Sequence, residues 1–393
     1  MQGRHIRAPR VVACCGGMVI VSGLERSTFE VLRVLHERGA AVHCVVNSWE
    51  NHRIVALAEQ IGASWSTGAY FYGLERHTRN PIKWARAVWD ICRTSLGLLR
   101  DAYRFHATHV LVPDFLSVLR NAPALALLRL CGVSVVLRIA NAPAASPFYR
   151  RIWRWGVSPF VDRMVCNSLF VHRELLAHRV PPAKITLIYS TLPTRAAPRL
   201  NDTRHDPRKI IYVGQVIPEK GLDLLLDALG LLAARGHDVH LDVVGPIDGW
   251  VSPSYTGYRE RLLARASAPD LNGRVQFLGW RDDVPALMAA AGIHCCPSRP
   301  EMLEGLPLVT LEAKQAGIPS VAFAIGPFPE LIEHRKDGWI STDISPSALA
   351  EGLEYFLVDP DRQRQAGTAA RASAQGFPRE AFAKAWLALF GVQ

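Results

Sequence analysis

The chain has 393 residues, 49% of them hydrophobic and 20% charged, which is enough apolar material for two ordinary cores and sets aside disordered and fibrous classes. Its formal charge of +10 is uneven: residues 1–200 carry 26 Lys and Arg against 11 Asp and Glu, a balance of +15, and the remainder comes to −5. A partner attracted by positive charge therefore belongs to the first half.

In chain order, the basic start MQGRHIRAPR precedes an apolar run, Val11 to Cys15, that reads as a strand. Gly16, Gly17 and Glu25 interrupt the apolar stretch behind it, so no signal peptide is expected and the protein should stay on the side of the membrane where it was made. Gly16, Gly17, Ser22 and Gly23 form a loop before an amphipathic helix with Leu24, Phe29, Val31, Leu32 and Leu35 on its apolar face; such a loop is either a plain turn or a ligand cradle. Gly39 stops the helix and Val42 to Val46 reads as the second strand. From Arg79 to Arg104 the cations Arg79, Lys83, Arg86, Arg93, Arg100 and Arg104 interleave with Trp84, Trp89, Leu96 and Tyr103; Phe148 to Phe160 repeats the mixture. Cations among interfacial aromatics suit an anionic membrane surface, and the competing reading is a solvated basic helix with a Trp-lined core face. No motif for nucleic acid supports that partner.

Further strands are expected at Val110 to Val112, Val133 to Ile139, Arg163 to Cys166 and Ile185 to Ile188, with helices near Pro123 to Leu130 and from Ser168. His172 and His178 read as peripheral helix residues. Residues 191–207, with Pro193, Pro198 and Pro207, read as a linker. A fresh cycle starts at Lys209: strands at Ile210 to Val213, His240 to Val244, Val275 to Phe277 and Ile293 to Cys296 alternate with helices at Gly221 to Ala234, Tyr258 to Ala266 and Val284 to Ala291. This rhythm is too long for hairpins and implies two doubly wound parallel sheets, whose ligands lie beyond the carboxyl ends of the strands. The eight cysteines lie mostly in apolar runs with no C-x-x-C pair and read as reduced core residues of a cytosolic protein. The longest apolar stretch, Ala124 to Leu137, is broken by Arg129, too early for a membrane span.

Three segments carry chemistry. Tyr212 to Gly221, YVGQVIPEKG, is a strand, a glycine loop and a lysine ahead of a helix, suited to a diphosphate. Arg274 to Val284, RVQFLGWRDDV, is a strand running into a turn, where Asp282 and Asp283 read as caps of the next helix and not as a metal pair. Asp359 and Asp361 read the same way. Cys296 to Asp337 holds Glu304 and Glu312 eight residues apart, on either side of a loop that enters a helix at Pro307 and leaves it at Gly317 and Pro319. Carboxylates at that place either form a solvated helix face or take the hydroxyls of a sugar or ribose, since each accepts two hydroxyl bonds.

The pattern E-G-L-P-x4-E-A, followed by A-G-I-P-S-V and G-P-F-P-E-L-I, closely resembles the donor-site signature of family-four retaining glycosyltransferases of the GT-B class. The resemblance is strongest over residues 209–340, moderate at 11–47 and 160–192, and weak at 50–130. It implies the GT-B fold: an acceptor-side Rossmann-like domain over 1–195, a linker at 196–208, and a nucleotide-sugar domain over 209–375, the two sheets facing across a cleft. A terminal helix over 376–393 would return to the first domain. Lys220 matches the lysine of the family's G-R-x-x-x-x-K-G loop, Gln215 stands in the arginine's place, and Gly214 opens the loop. Gly245 matches a strand-end glycine, and Leu278 and Trp280 would flank the base. Gly17 belongs to the glycine-rich first loop, and Asn167 and Ser168 match an N-S stretch. Where relatives often place a histidine, this chain has Ala140 and Asn141.

By the same resemblance, Glu304 would hold the donor sugar and Glu312 the ribose, while Lys220, Gln215 and the amides of Gly305, Leu306 and Leu308 would receive the departing diphosphate. No metal and no resident cofactor is implied; the donor is a UDP- or GDP-sugar and the acceptor a glycan or lipid-linked sugar of the cell envelope, met at the inner face of the cytoplasmic membrane. The alternatives are a GT-B epimerase or phosphorylase, and a non-enzymatic basic membrane adaptor.

Overall fold

A computed structural model describes residues 8–19, 21–68, 80–192, 205–247 and 255–392. Most of the expected linker, 196–208, and Arg79 lie outside the described residues. The chain forms two compact units, the first of residues 1–190 with 379–393 and the second of residues 191–378.

The first unit is a seven-stranded sheet ordered β3-β2-β1-β4-β5-β6-β7, every pair parallel. Its strands are β1 (Arg10–Cys14), β2 (Ala41–Asn47), β3 (Ser64–Gly68), β4 (His109–Val112), β5 (Ser134–Ile139), β6 (Arg163–Cys166) and β7 (Ile185–Leu187). Helices α1 (Gly23–Glu37), α2 (His52–Gln60), α3 (Pro81–Arg104), α4 (Phe115–Leu130), α5 (Pro147–Arg151) and α6 (Leu169–Ala177) connect them. Apolar runs such as VVA of β1 are buried on both faces, as a sheet covered on both sides requires. α1 opens with a capping box in which Ser22 and Glu25 satisfy each other's backbone donors. Burial pushes the Glu25 carboxyl up, against the pull of Ser22 and of Arg138.

The second unit is a six-stranded parallel sheet ordered β10-β9-β8-β11-β12-β13. Its elements are β8 (Asp206–Val213), α7 (Leu222–Ala234), β9 (His240–Val244), α8 (Tyr258–Ala266), β10 (Val275–Gly279), α9 (Val284–Ala290), β11 (Ala291–Cys296), α10 (Leu308–Ala316), β12 (Ser320–Phe323), α11 (Phe328–Leu331), β13 (Gly338–Ser341), α12 (Pro346–Leu357) and α13 (Pro360–Ala374). The core under α7 is a stripe of Leu222, Leu225, Leu226, Leu229 and Leu232, all buried, each contributing on the order of 1.5–3 kcal/mol by removal from water. The last helix, α14 (Arg379–Phe390), belongs to the first unit: Phe382, Trp386 and Phe390 enter that core, and Arg379 bonds Glu30 at 2.6 Å and Glu37 at 2.8 Å on α1.

Several expectations need correction. α4 starts at Phe115, well ahead of the Pro123 start, because Asp114 caps the Ser117 amide at 2.8 Å; Pro123 lies inside the helix. β3 carries no strong apolar run and escaped the sequence pattern, as did α2 despite its run Ile54 to Ala58. Of the two readings of residues 79–104, the Trp-lined core face fails: Trp84 and Trp89 are 53% and 63% exposed, while Ala87, Ser95, Leu98, Asp101 and Ala102 form the buried face. Cys92 and Cys131 are exposed. Asp283 stands at the N-cap of α9 but spends its carboxylate on Arg281, whereas Asp359 does cap the Arg362 amide. His178 is buried, with Nδ1 at 2.7 Å from the Glu174 carbonyl and Nε2 at 3.0 Å from the Ala144 carbonyl, and so ties the loop after β5 to the end of α6.

Candidate functional site in the second unit

The order of the second sheet places β8 and β11 side by side at the point where the connections reverse direction, with β9 and β10 on one hand and β12 and β13 on the other. Loops leaving adjacent strands at such a switch point diverge and open a crevice. Lys220 leaves β8 on a short 3-10 turn, Pro218–Lys220, and Ser298 and Glu304 leave β11. The structure brings these three together: the Lys220 ammonium donates to Glu304 Oε1, and Ser298 Oγ donates to the same oxygen at 2.9 Å. Glu304 is 8% exposed and Ser298 fully buried. Burial draws the Lys220 pKa down, but the Glu304 carboxylate and neighbouring Cys296 more than reverse that, leaving the amine above its ordinary value and charged.

The lysine turn is built from glycine and arginine contacts. Gly221 has φ +69°, and a Cβ there would stand 2.0 Å from the Pro297 carbonyl oxygen, so only glycine lets the start of α7 lie against the end of β11. Arg299 donates to both Asp223 carboxylate oxygens, at 2.9 and 2.6 Å, and to the Pro218 carbonyl, while its own amide reaches the Glu219 carbonyl at 2.7 Å. Tyr258 Oη adds a bond to Asp223 at 2.9 Å. Although burial raises it, Asp223 ends below the usual carboxylate range because Arg299 and Tyr258 bond its charged form. Ser298, Arg299, Asp223 and Tyr258 were missed by the sequence reading; a serine and arginine between a buried strand and Glu304 were the available signal.

The other candidates surround this pair in different ways. Gly214 and Gly245 end β8 and β9, and their backbones touch: the Gly214 amide donates to the Val244 carbonyl, and a Cβ on Gly245 would meet the Gly214 carbonyl oxygen at 1.8 Å. Gln215 follows Gly214, half-buried, and its carbonyl accepts the Tyr212 hydroxyl at 2.7 Å. Gly305 and Leu306 are buried in the loop after Glu304. Leu308 is the first residue of α10, whose N-cap Pro307 offers no side-chain acceptor to the helix amides. Glu312 lies half-buried one turn further on. Leu278 is half-buried in β10, and Trp280 is 43% exposed just past its end. Gly17 lies in the first unit, in the turn after β1.

Behind the pair sits His294, fully buried on β11, with Nδ1 at 3.0 Å from Ser320 Oγ and Nε2 without a partner among the described residues. Burial, with a smaller push from Lys220, lowers its pKa to about 3, so it is neutral. Among the described residues no group of three His, Cys, Asp or Glu side chains is gathered as a metal ligand set would be. No helix among them is long and apolar enough to cross a membrane.

Comparison with known proteins agrees with this layout. The family profile for "Glycosyl transferases group 1" matches residues 195–373, and that for "Glycosyltransferase Family 4" matches residues 21–195. An amylovoran biosynthesis glycosyltransferase of Erwinia amylovora is 27% identical over 190 residues, 47% of this chain and 44% of the relative. A GDP-mannose-dependent phosphatidylinositol monomannoside mannosyltransferase of Mycobacterium tuberculosis is 31% identical over 168 residues, 41% of each chain. The matched stretches thus span about half or less of these curated relatives. Among solved structures, Anabaena HepE in complex with UDP and glucose superimposes with a TM-score of 0.77 at 18% identity, over 98% of this chain and 100% of that one, and so shares the fold.

Proposed function

Because the chain belongs to the family-four glycosyltransferases of the GT-B class, we propose that it moves a hexose-type sugar, with retention of configuration, from a nucleotide diphosphate sugar to a lipid-linked or polysaccharide acceptor in cell-envelope glycan biosynthesis. The observation that carries this reading is the Lys220–Glu304–Ser298 cluster at the switch point of the second sheet. A half-buried cation and a buried carboxylate on loops leaving adjacent strands provide one group for a diphosphate and one for sugar hydroxyls.

In this reading Lys220, the Gln215 side chain and the amides of Gly305, Leu306 and Leu308 stabilise the diphosphate as it leaves, Glu304 positions the sugar, and Glu312 takes the ribose. Leu278 and Trp280 flank the base, and the side-chain-free backbones of Gly214 and Gly245 admit phosphate closely. The bond from the anomeric carbon to the diphosphate oxygen breaks. The acceptor hydroxyl oxygen bonds that carbon from the same face and passes its proton to the leaving oxygen. Stabilisation is electrostatic and preorganised, and no enzymic nucleophile, metal or resident cofactor takes part. The donor carries uracil or guanine: one relative's name specifies GDP-mannose, and the superimposed structure holds UDP.

The acceptor is assigned to the first unit, at the inner face of the cytoplasmic membrane. Support comes from α3, where Ile82, Trp89, Leu96 and Tyr103 recur every seven residues and are 76%, 63%, 66% and 80% exposed, beside a row of Arg86, Arg93 and Arg100. Near-two-turn spacing puts each row on one side of the helix, an apolar ridge beside a cationic one. The test is to incubate the purified protein with a panel of UDP- and GDP-sugars and bacterial lipid extract. Release of one nucleotide that depends on both donor and extract is expected. Donor turnover without extract, or dependence on inorganic phosphate, would replace transfer by epimerase or phosphorylase chemistry, and absence of nucleotide binding would end the enzymatic reading.

A further inference from the structure

The first unit contains a cavity of about 460 Å³ lined by Ser48, Thr67, Gly68, Arg93, Leu96, Gly97 and Arg100. It opens at the carboxyl ends of β2 and β3, where Asn47 pairs with Gly68, and is closed on its other side by the middle of α3. It lies on the carboxyl-end side of the sheet, where ligands of such folds bind, beside the β1–β4 switch point and not at it. Arg93, Gly97 and Arg100 fall at positions i, i+4 and i+7 and therefore share one side of α3. A Cβ on Gly97 would meet nothing within 4 Å, so the glycine leaves a notch between the two guanidinium groups.

Among the described residues the charge of this cavity is only partly compensated. Arg100 donates to Asp101 at 2.8 Å, and that carboxylate is shared with Ser66 Oγ at 2.9 Å. Arg93 makes no ion pair or hydrogen bond among the described residues. Two cations, one of them paired with Asp101, line this space together with Leu96 and the ends of β2 and β3. Guanidinium groups bind phosphate oxygens in a fork. Leu96, on the apolar ridge of α3, lines the same cavity, so an anion held here has hydrocarbon-compatible surface beside it.

We propose that this cavity is the acceptor's phosphate subsite: it holds the phosphate or diphosphate group of a lipid-linked acceptor between Arg93 and Arg100, with the lipid leaving along the Leu96 and Trp89 ridge. The inference rests on the transferase reading, and it narrows the acceptor to a molecule carrying phosphate beside hydrocarbon.

The probes are farnesyl diphosphate, inorganic diphosphate and farnesol, titrated calorimetrically into the full chain with excess UDP present throughout to occupy the second unit. Wild type should bind farnesyl diphosphate most tightly, inorganic diphosphate more weakly, and farnesol not detectably. Arg93→Gln should weaken both phosphorylated probes at least about tenfold, with Arg93→Lys between the two. Arg93 is exposed, so the far-UV circular dichroism of both variants should match wild type. Wild-type affinity in Arg93→Gln overturns the site. Equal, Arg93-dependent affinity for the farnesyl and inorganic forms overturns the lipid-linked source and leaves a free-anion site. UDP titrated separately reports on the donor reading, so loss of UDP binding with Arg93-dependent farnesyl diphosphate binding would sink that reading and spare this one.

Discussion

The pairing of Lys220 with Glu304 makes a prediction in which folding and ligand binding respond differently to the same substitutions. Both side chains are removed from water, at 15% and 9% side-chain exposure. Truncating one partner of such a pair leaves the other charge buried, at a cost of about 3–5 kcal/mol, whereas replacing both with neutral groups of similar shape is close to neutral for stability. Lys220→Ala and Glu304→Ala should therefore each lower unfolding free energy by that amount, and Lys220→Met with Glu304→Gln together should recover most of it. Ser298 contributes to the asymmetry, because its hydroxyl still finds the glutamine carbonyl in Glu304→Gln.

Donor binding should not recover with the double substitution. If the lysine meets diphosphate oxygens, its loss removes at least one charge-assisted bond of about 1.5–3 kcal/mol, which is about 10- to 150-fold in affinity. Urea denaturation followed by circular dichroism gives the stability cycle, and calorimetric titration of UDP and GDP gives the binding cycle. A double variant that is stable and still binds a nucleotide diphosphate as wild type does would refute the placement of Lys220 at the diphosphate. A Lys220→Ala variant as stable as wild type would refute the buried pair itself.

Three more outcomes can be checked on the same unit. His294 has a folded pKa of about 3 against about 6.5 when unfolded, so between those values the unfolded state binds the extra proton; the stability contribution is complete above pH 6.5 and falls by about 1.4 kcal/mol per unit as pH drops toward 3, and this slope should vanish from urea titrations of His294→Gln. Gly221→Ala meets both a positive φ and the Pro297 carbonyl, and should cost more than about 1 kcal/mol in urea and weaken nucleotide binding through displacement of the lysine turn; an unchanged midpoint and affinity would contradict the geometry. Gln215→Arg places a charge where the family loop carries one and should tighten nucleotide diphosphate binding by about threefold to thirtyfold, with a steeper loss of affinity in salt; no change in either would remove Gln215 from the diphosphate's surroundings.

How much of the fold was legible in the sequence depends on the physics of each segment. Buried parallel strands must be apolar on both faces, so Val11 to Cys15 and Ile293 to Cys296 announce themselves, whereas β3, with the sequence SWSTG at the sheet edge, carries no such run. The helical character of residues 81–104 is readable from their spacing, but which face is buried is not: Ala87, Leu98 and Ala102 are small or ordinary, and the large Trp84 and Trp89 would be assigned to the core by size alone. The packing of α3 decides between the surface and the core reading of its tryptophans. Lys220 and Glu304 were each readable from a local loop, while their direct bond required the adjacency of β8 and β11, two strands separated by β9 and β10 in sequence.

The same distinction explains Arg299 and Asp223. Either alone is an ordinary charged residue near a turn, and their spacing of 76 positions carries no local signal. Once β8 and β11 lie side by side, the two loops must be held at a fixed separation for a lysine on one and a glutamate on the other to serve a single ligand. Arg299, gripping Asp223 through both carboxylate oxygens and the Pro218–Glu219 backbone through its own side chain and amide, supplies that constraint. The residues that position the site are therefore those sequence reading handles worst, because their meaning lies in a distance between loops, whereas Glu304 and Lys220 announce themselves through the loops that carry them.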